Sequence, residues 1–229
     1  MDKKHIVVLT GAGISAESGL KTFRDGDGLW MVYHVEDVAT PRAFIKNPQL
    51  VLDFYNQRRR DVAASIPNAA HIGLAELEKK YTVTIITQNI DDLHERGGSS
   101  HVIHLHGEIF KMRSVEDEHT VYQIKGDINF GDKDTNGSQL RPFIVWFEEP
   151  VPMMEKAISL IQDCDYFVVI GTSLQVYPAA SLLHYAPSCL PKFIIDKKIP
   201  KINNYPNLHV IEKPATEGVA ELKKILLAY

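Results

Sequence analysis

Residues 6–30, IVVLTGAGISAESGLKTFRDGDGLW, constrain the fold more than any other stretch of the chain. The run Ile6-Val7-Val8-Leu9 is apolar, mostly β-branched and of strand length, as expected of a parallel strand buried on both faces. The backbone then turns through Gly11-Ala12-Gly13. Glycine reaches positive φ and has no Cβ, so a ligand can come close to the main chain there. Ile14 to Leu20 reads as the start of a short helix, whose first N–H groups favour a phosphate. The spacing Gly11, Gly13, Ala16 fits the G-x-G-x-x-G/A pattern of dinucleotide sites. A plain tight turn between strand and helix would leave the same trace. The segment Thr22-Phe23-Arg24-Asp25, with Gly26, Gly28 and Trp30 after it, reads as a loop that closes over something. No acidic residue stands at the end of a plain second strand to hold a ribose, so a dinucleotide here is held in a different way.

Downstream, strand and helix signals alternate. Thr40-Pro41 is an N-cap followed by proline at the first helical position. A second helix starts near Pro48, with Leu50, Val51, Phe54, Tyr55, Arg58 and Val62 at helical spacing. Asn68 to Lys80 is another helix. Strands are expected over Thr82–Thr87, Val102–Leu105, Phe143–Phe147, Tyr166–Ile170 and Phe193–Ile195. Helices are expected over Met153–Gln162, after Tyr177-Pro178 as far as Tyr185, and over Thr216–Leu227. Residues 108–141 are the least regular part. The alternation predicts an α/β fold, a doubly wound and mostly parallel Rossmann-like sheet with a small, discontinuous second lobe. The large lobe is expected over about 1–30, 68–107 and 142–229, and the small lobe over about 31–67 and 108–141.

The net charge of −4 gives no bulk attraction to nucleic acid or to an anionic membrane, and no apolar run approaches a membrane span. The chain enters its first strand at once, which leaves no room for a signal peptide. Cys164 and Cys189 make no disulfide framework and read as reduced, buried thiols. The expectation is a monomeric cytoplasmic protein without nucleic-acid or membrane partners.

The candidate chemistry gathers where such sheets bind ligands, at the C-terminal strand ends. Gly11–Ser15, Gln88–Asp91, Gly171–Ser173 and Asp196 each follow a predicted strand. Asn89 and Asp91 also read as turn residues and a helix N-cap. His106 ends a strand and shares its face with His104, since strand side chains repeat every two residues. The pair also admits a metal site or a structural histidine.

The block GAGISAESGLKTFRDGDGLW resembles the first signature of the sirtuins, the NAD-dependent protein deacylases. Thr87-Gln88-Asn89-Ile90-Asp91-Asp92-Leu93-His94 and His104-Leu105-His106-Gly107 match further blocks. Val145-Trp146-Phe147-Glu148 and Gly171-Thr172-Ser173-Leu174 follow in the family's order. The resemblance implies that NAD is bound. Gly11, Ala12, Gly13 and Ser15 would lie along its phosphates, with Phe23 and Arg24 in a flexible cofactor loop. Asn89 and Asp91 would hold the nicotinamide pocket, and Gln88 a ribose. Gly171, Thr172 and Ser173 would meet the adenosine side, and Asp196, where many sirtuins carry Asn, a ribose. His106 and Asn89 are the catalytic candidates. By resemblance, an acyl-lysine carbonyl oxygen attacks C1′ of the nicotinamide ribose and nicotinamide leaves. His106 then takes a proton from a ribose hydroxyl. The substrate peptide, an acyl-lysine protein segment, would add as a strand along Val145, Trp146, Phe147 and Glu148. The same apolar residues also read as a core strand.

Tyr55 and Arg58 stand at i and i+3 on one helix face. Arg binds a carboxylate through two parallel hydrogen bonds and Tyr adds a third. The pair resembles the acid-acyl pocket of class III sirtuins, which remove succinyl, malonyl or glutaryl groups. The run Arg58-Arg59-Arg60 also reads as a solvated basic face. Most sirtuins carry two Cys-x-x-Cys pairs for structural zinc. Residues 108–141 here contain no cysteine, so no zinc is expected. That lobe is expected to close by packing of Val115, Val121, Tyr122, Ile124, Ile128 and Phe130. Three other readings remain open: protein ADP-ribosyltransferase, non-catalytic NAD or ADP-ribose sensor, and ordinary dehydrogenase.

Overall fold

The computed structural model describes residues 3–22, 33–200 and 205–227. The expectations for Phe23, Arg24 and the rest of the loop to Trp30 lie outside the described residues. In chain order the strands are β1 (His5–Thr10), β2 (Thr82–Thr87), β3 (Val102–His104), β4 (Gly107–Ser114), β5 (Val121–Gln123), β6 (Leu140–Ile144), β7 (Tyr166–Ile170), β8 (Lys192–Asp196) and β9 (Leu208–Glu212). The helices are α1 (Ala12–Ser15), α2 (Val35–Val38), α3 (Pro41–Lys46), α4 (Pro48–Ala64), α5 (Ala69–Leu77), α6 (Leu93–Arg96), α7 (Met154–Gln162), α8 (Leu182–Tyr185) and α9 (Ala215–Leu227).

Among the described residues, six strands form one parallel sheet in the spatial order β3-β2-β1-β7-β8-β9. Counting only these strands, the order is the 3-2-1-4-5-6 of a dinucleotide-binding sheet, and its direction reverses between β1 and β7. The apolar run of β1 is buried because both faces are covered. Ile6 and Val8 point into one core with α5 and α9. Val7 and Leu9 point into the other, with α7 and α8.

The excursion between β3 and α7 makes a second, antiparallel sheet in the order β5-β4-β6. It shares a third core with α2, α3 and α4. Proline starts α3 and α4 as the sequence predicts. Thr40 Oγ1 accepts from Ala43 N–H at 3.0 Å, and Asn47 Oδ1 from Leu50 N–H at 3.1 Å.

Several expectations are corrected. Residues 108–141 are not irregular throughout but carry most of the small sheet. The strand expected over Phe143–Phe147 begins and ends three residues earlier, at Leu140–Ile144. Of the side chains expected to close this lobe, Ile128 is buried and Tyr122 and Ile124 pack against the core, but Val115, Val121 and Phe130 are exposed. Strand β9 was not foreseen. Cys164 is buried, whereas Cys189 is exposed.

Candidate functional site

The floor of the site is the seam where the sheet order reverses. Gly13 N–H donates to Gly171 O at 2.8 Å, and Gly11 N–H to Ile170 O at 3.0 Å. Gly11 has an extended φ of −130°, so its glycine is explained by space and not by a left-handed turn. A Cβ at Gly11 would stand 2.7 Å from Gly171 O, and one at Gly13 would stand 2.7 Å from Gly171 Cα. Gly171 has φ +62°, and a Cβ there would stand 2.4 Å from Ile14 N. The three glycines let two backbones touch. The close approach that the sequence suggested for a ligand is made first by the chain itself.

A cavity of about 1210 Å³ opens above this seam. Every sequence-predicted site residue within the described residues lines it. These are Gly11, Ala12, Gly13, Ser15, Gln88, Asn89, Asp91, His106, Gly171, Thr172, Ser173 and Asp196, with Tyr55, Arg58, Val145, Trp146 and Phe147.

One side carries a directed polar network. Asn89 Nδ2 donates to Gly11 O at 3.2 Å and to Ser15 Oγ at 3.1 Å. Ser15 Oγ in turn donates to Asp91 Oδ2 at 3.1 Å. Gln88 Nε2 donates to Thr172 Oγ1 at 3.0 Å. The other Asp91 oxygen accepts from Leu93 N–H at 3.2 Å, at the start of α6. Asp91 is thus a turn residue that faces the cavity, and the N-cap expected of it falls instead on Asp92. Burial raises its pKa, opposed by the Leu93 and Ser15 hydrogen bonds and by the Arg58 charge.

The two histidines of the His-Leu-His block do not share a strand face as expected, because β3 ends at His104 and His106 lies in the bend before β4. His106 lines the main cavity, whereas His104 lines a second one of about 320 Å³. His106 Nδ1 lies 3.0 Å from Gln88 O. A carbonyl only accepts, so Nδ1 carries the proton and Nε2 holds the lone pair. Burial lowers its pKa, against the Gln88 hydrogen bond, so the ring is a neutral base at pH 7. Among the described residues, no three His, Cys, Asp or Glu side chains form a metal-holding group. His94 is fully buried with Nε2 3.0 Å from Thr10 Oγ1, and His101 is exposed.

Tyr55 and Arg58 reach the cavity from α4, 4% and 7% exposed. Burial lowers the Arg58 pKa and raises that of Tyr55. The basic-face reading applies to Arg60 alone, which pairs with Asp127 at 2.7 Å. Arg59 is buried and structural. Its Nε donates to Ile109 O at 2.8 Å, and its Nη1 to Asn56 Oδ1 at 2.8 Å and Gly126 O at 3.1 Å.

The segment Val145–Phe147 differs from a free strand edge. Val145 N–H donates to His106 O at 2.9 Å and Phe147 N–H to Ala39 O at 3.0 Å. Trp146 N–H donates to Glu149 Oε2 at 2.8 Å. A peptide laid along it would have to use the carbonyls of Val145 and Phe147, since Trp146 O already accepts from Glu149 N–H at 3.1 Å. Trp146 is buried against Phe44 and Tyr55, with the Arg141 guanidinium 3.3 Å from its ring centroid. Glu148, at φ +75°, turns the chain out of this wall and pairs with Arg42. It lines the cavity beside the three residues it was expected to accompany.

The Sir2 family matches residues 11–178 of the chain. An NAD-dependent protein deacylase of Bacteroides thetaiotaomicron is 52% identical over 230 residues, covering 98% of each chain. One from Helicobacter pylori is 52% identical over 224 residues with the same coverage. A solved Sir2 homolog–NAD complex superposes with a TM-score of 0.86 at 37% identity, over 98% of this chain and 91% of that one. The sequence blocks, the strand order and these likenesses agree, and the chain belongs to the Sir2 family.

Proposed function

We propose that this chain is an NAD-dependent protein-lysine deacylase with a preference for acidic acyl groups. The observation that carries the reading is the meeting of a neutral His106 with the Gln88–Asp91 loop and with Tyr55 and Arg58 in one cavity. The donor set fits a dinucleotide: the floor is bare main chain, and Gln88, Asn89, Asp91, Thr172, Ser173 and Asp196 offer polar groups along an extended cavity. When bound, NAD supplies the ribose carbon that accepts the acyl oxygen, and the departing nicotinamide.

His106 is oriented by Gln88 O, and its Nε2 takes the proton of a ribose hydroxyl. The Asn89–Ser15–Asp91 network fixes the loop on the nicotinamide side. Arg58 offers a buried cation and Tyr55 a hydroxyl to a carboxylate on the acyl chain. Val145, Trp146 and Phe147 wall the channel for the acyl-lysine peptide. We also read the chain as a two-lobed cytoplasmic monomer that needs no structural zinc and no nucleic-acid or membrane partner. A near-stoichiometric zinc content after purification would refute the zinc reading. Among the described residues no helix is long and apolar enough to cross a membrane.

The test is mass spectrometry of matched acetyl-lysine and succinyl-lysine peptides incubated with NAD. Faster loss of succinyl is expected. His106→Ala should lower both activities by about 10²- to 10⁴-fold, the range of a lost general base. Arg58→Met should lower desuccinylation while sparing deacetylation. Equal loss of both would remove the acid pocket. ADP-ribose on protein, with neither acyl group lost, would reassign the chain as a transferase.

A further inference from the structure

Four successive carbonyls of the loop after β2 are held by the segment from His104 to Ile109. Leu105 N–H donates to Thr87 O at 2.9 Å and Ile109 N–H to Ile90 O at 2.8 Å. Between them, the donors are imidazoles: His106 Nδ1 to Gln88 O at 3.0 Å and His104 Nδ1 to Asn89 O at 3.1 Å. The other nitrogen of His104 lies 2.7 Å from Glu95 Oε1 on α6. Both partners of His104 are acceptors, a carbonyl and a carboxylate. Both ring nitrogens must then carry protons, and His104 is an imidazolium. His106, two residues on, has one such partner and stays neutral.

We propose that His104, held as a cation by Glu95, is a positioning residue for the deacylation, clamping the Asn89 peptide so that Asn89 and Asp91 keep their places in the site. The inference rests on the deacylase reading above. Around His104 stand Asp91 and Asp92 from the loop, Glu108 and Lys111 from β4, and uncharged Gln123 from β5. Lys111 is bound to Glu108 at 2.6 Å, so the carboxylates outnumber the cations at this wall. His94 on α6 is buried and its pKa is lowered well below the ordinary value, so it adds no positive charge at neutral pH. Burial works against the charged form of His104, but the Glu95 hydrogen bond and charge outweigh it and raise its pKa.

The sign follows. The clamp is complete while His104 is protonated and is lost as pH rises through its raised pKa. The His106 base is lost as pH falls through its lowered pKa. Activity should therefore be bell-shaped, with different histidines on its two limbs.

The test uses the whole chain and the variants Glu95→Gln, His104→Gln and His104→Leu. Glu95 is on the surface, so its variant should fold. In Glu95→Gln, NMR titration should show the His104 pKa falling, and the alkaline limb of kcat should move down by about one pH unit, a tenfold loss on that limb. KM for the acyl peptide should hold. His104→Gln keeps one donor and should retain more activity than His104→Leu, with the alkaline limb gone. Amide protection of residues 88–91, taken relative to the intrinsic base-catalysed exchange rate, should fall with pH in wild type and at lower pH in Glu95→Gln. A His104 that is neutral at pH 7, or pH profiles of Glu95→Gln and wild type that superpose, overturns the clamp. If the wild type deacylates nothing, the deacylase reading fails. The titration and exchange then decide the clamp alone, and unchanged exchange in Glu95→Gln overturns it.

Discussion

The two sheets of this protein are held together in different ways. In the parallel sheet, β1, β2, β7 and β8 are gripped by side chains that carry no polar atoms, such as Ile6, Val8, Ile85 and Phe193 on one face and Leu9, Ile86, Phe167 and Ile194 on the other. The small sheet packs an apolar core against α2, α3 and α4, and two polar residues on α4 add buried hydrogen bonds to it. Asn56 closes a two-way contact with Ile128, Nδ2 to the carbonyl at 2.9 Å and N–H to Oδ1 at 2.9 Å. Arg59 binds Ile109 and Gly126 and braces Asn56. Apolar packing loses stability in proportion to the volume removed, whereas a buried polar clamp fails as a unit, because every partner left behind is an unpaired group. The region of the small sheet thus adds a few directed hydrogen bonds to its apolar core.

The sharpest way to break this contrast is Arg59→Met. It removes the donors of the buried Ile109 carbonyl and of the Gly126 carbonyl together with the brace of Asn56, and should cost about 3–5 kcal/mol. Denaturant unfolding measures the loss, and hydrogen exchange should quicken first in β4 and β6 while the parallel sheet stays protected. A cost below about 1 kcal/mol would mean that apolar packing holds both sheets alike.

Acid should act in the opposite sense. His71 is fully buried in the large lobe, and burial lowers its pKa to about 4. The unfolded chain takes up a proton near pH 6.5 that the folded chain refuses until about 4. Stability should therefore fall as pH drops through that window, by about 3 kcal/mol from this group. Arg59 does not titrate there. The large lobe should loosen first on acidification and the small lobe first in Arg59→Met. A His71→Phe variant whose acid sensitivity matches wild type would discard this assignment. The smallest effect expected is Ile85→Val in the parallel sheet, about 1 kcal/mol with no change in activity, read from thermal unfolding.

The parallel sheet was legible because its evidence is local. Thr82–Thr87 and Tyr166–Ile170 match their expected bounds, as dense β-branched and aromatic runs should. Strand β9 escaped notice because it is an edge: of Leu208, His209, Val210, Ile211 and Glu212, only Ile211 is buried. The small sheet escaped because its pairing joins β4 to β6 across a polar stretch. Most of the cavity-lining residues were legible because they follow strands in a recognisable order. Their supports were not. Asn56 finds Ile128, and His104 finds Glu95, only once distant parts of the chain have folded together. Identity along the chain says which residues face the cavity, and tertiary contact decides their charge.

The seam of Gly11, Gly13 and Gly171 has one more consequence. It is a contact between main chains, so it has no side chain to exchange, and any added atom is refused. It serves as a fixed origin from which the rest of the cavity is measured. Substitution can retune reach and charge only in the walls, at Tyr55, Arg58 and Val145–Glu148. Tyr55 and Arg58 stand on α4, the helix that also carries Asn56 and Arg59. A chain built this way can drift toward a new acyl group without moving the place where its chemistry is done.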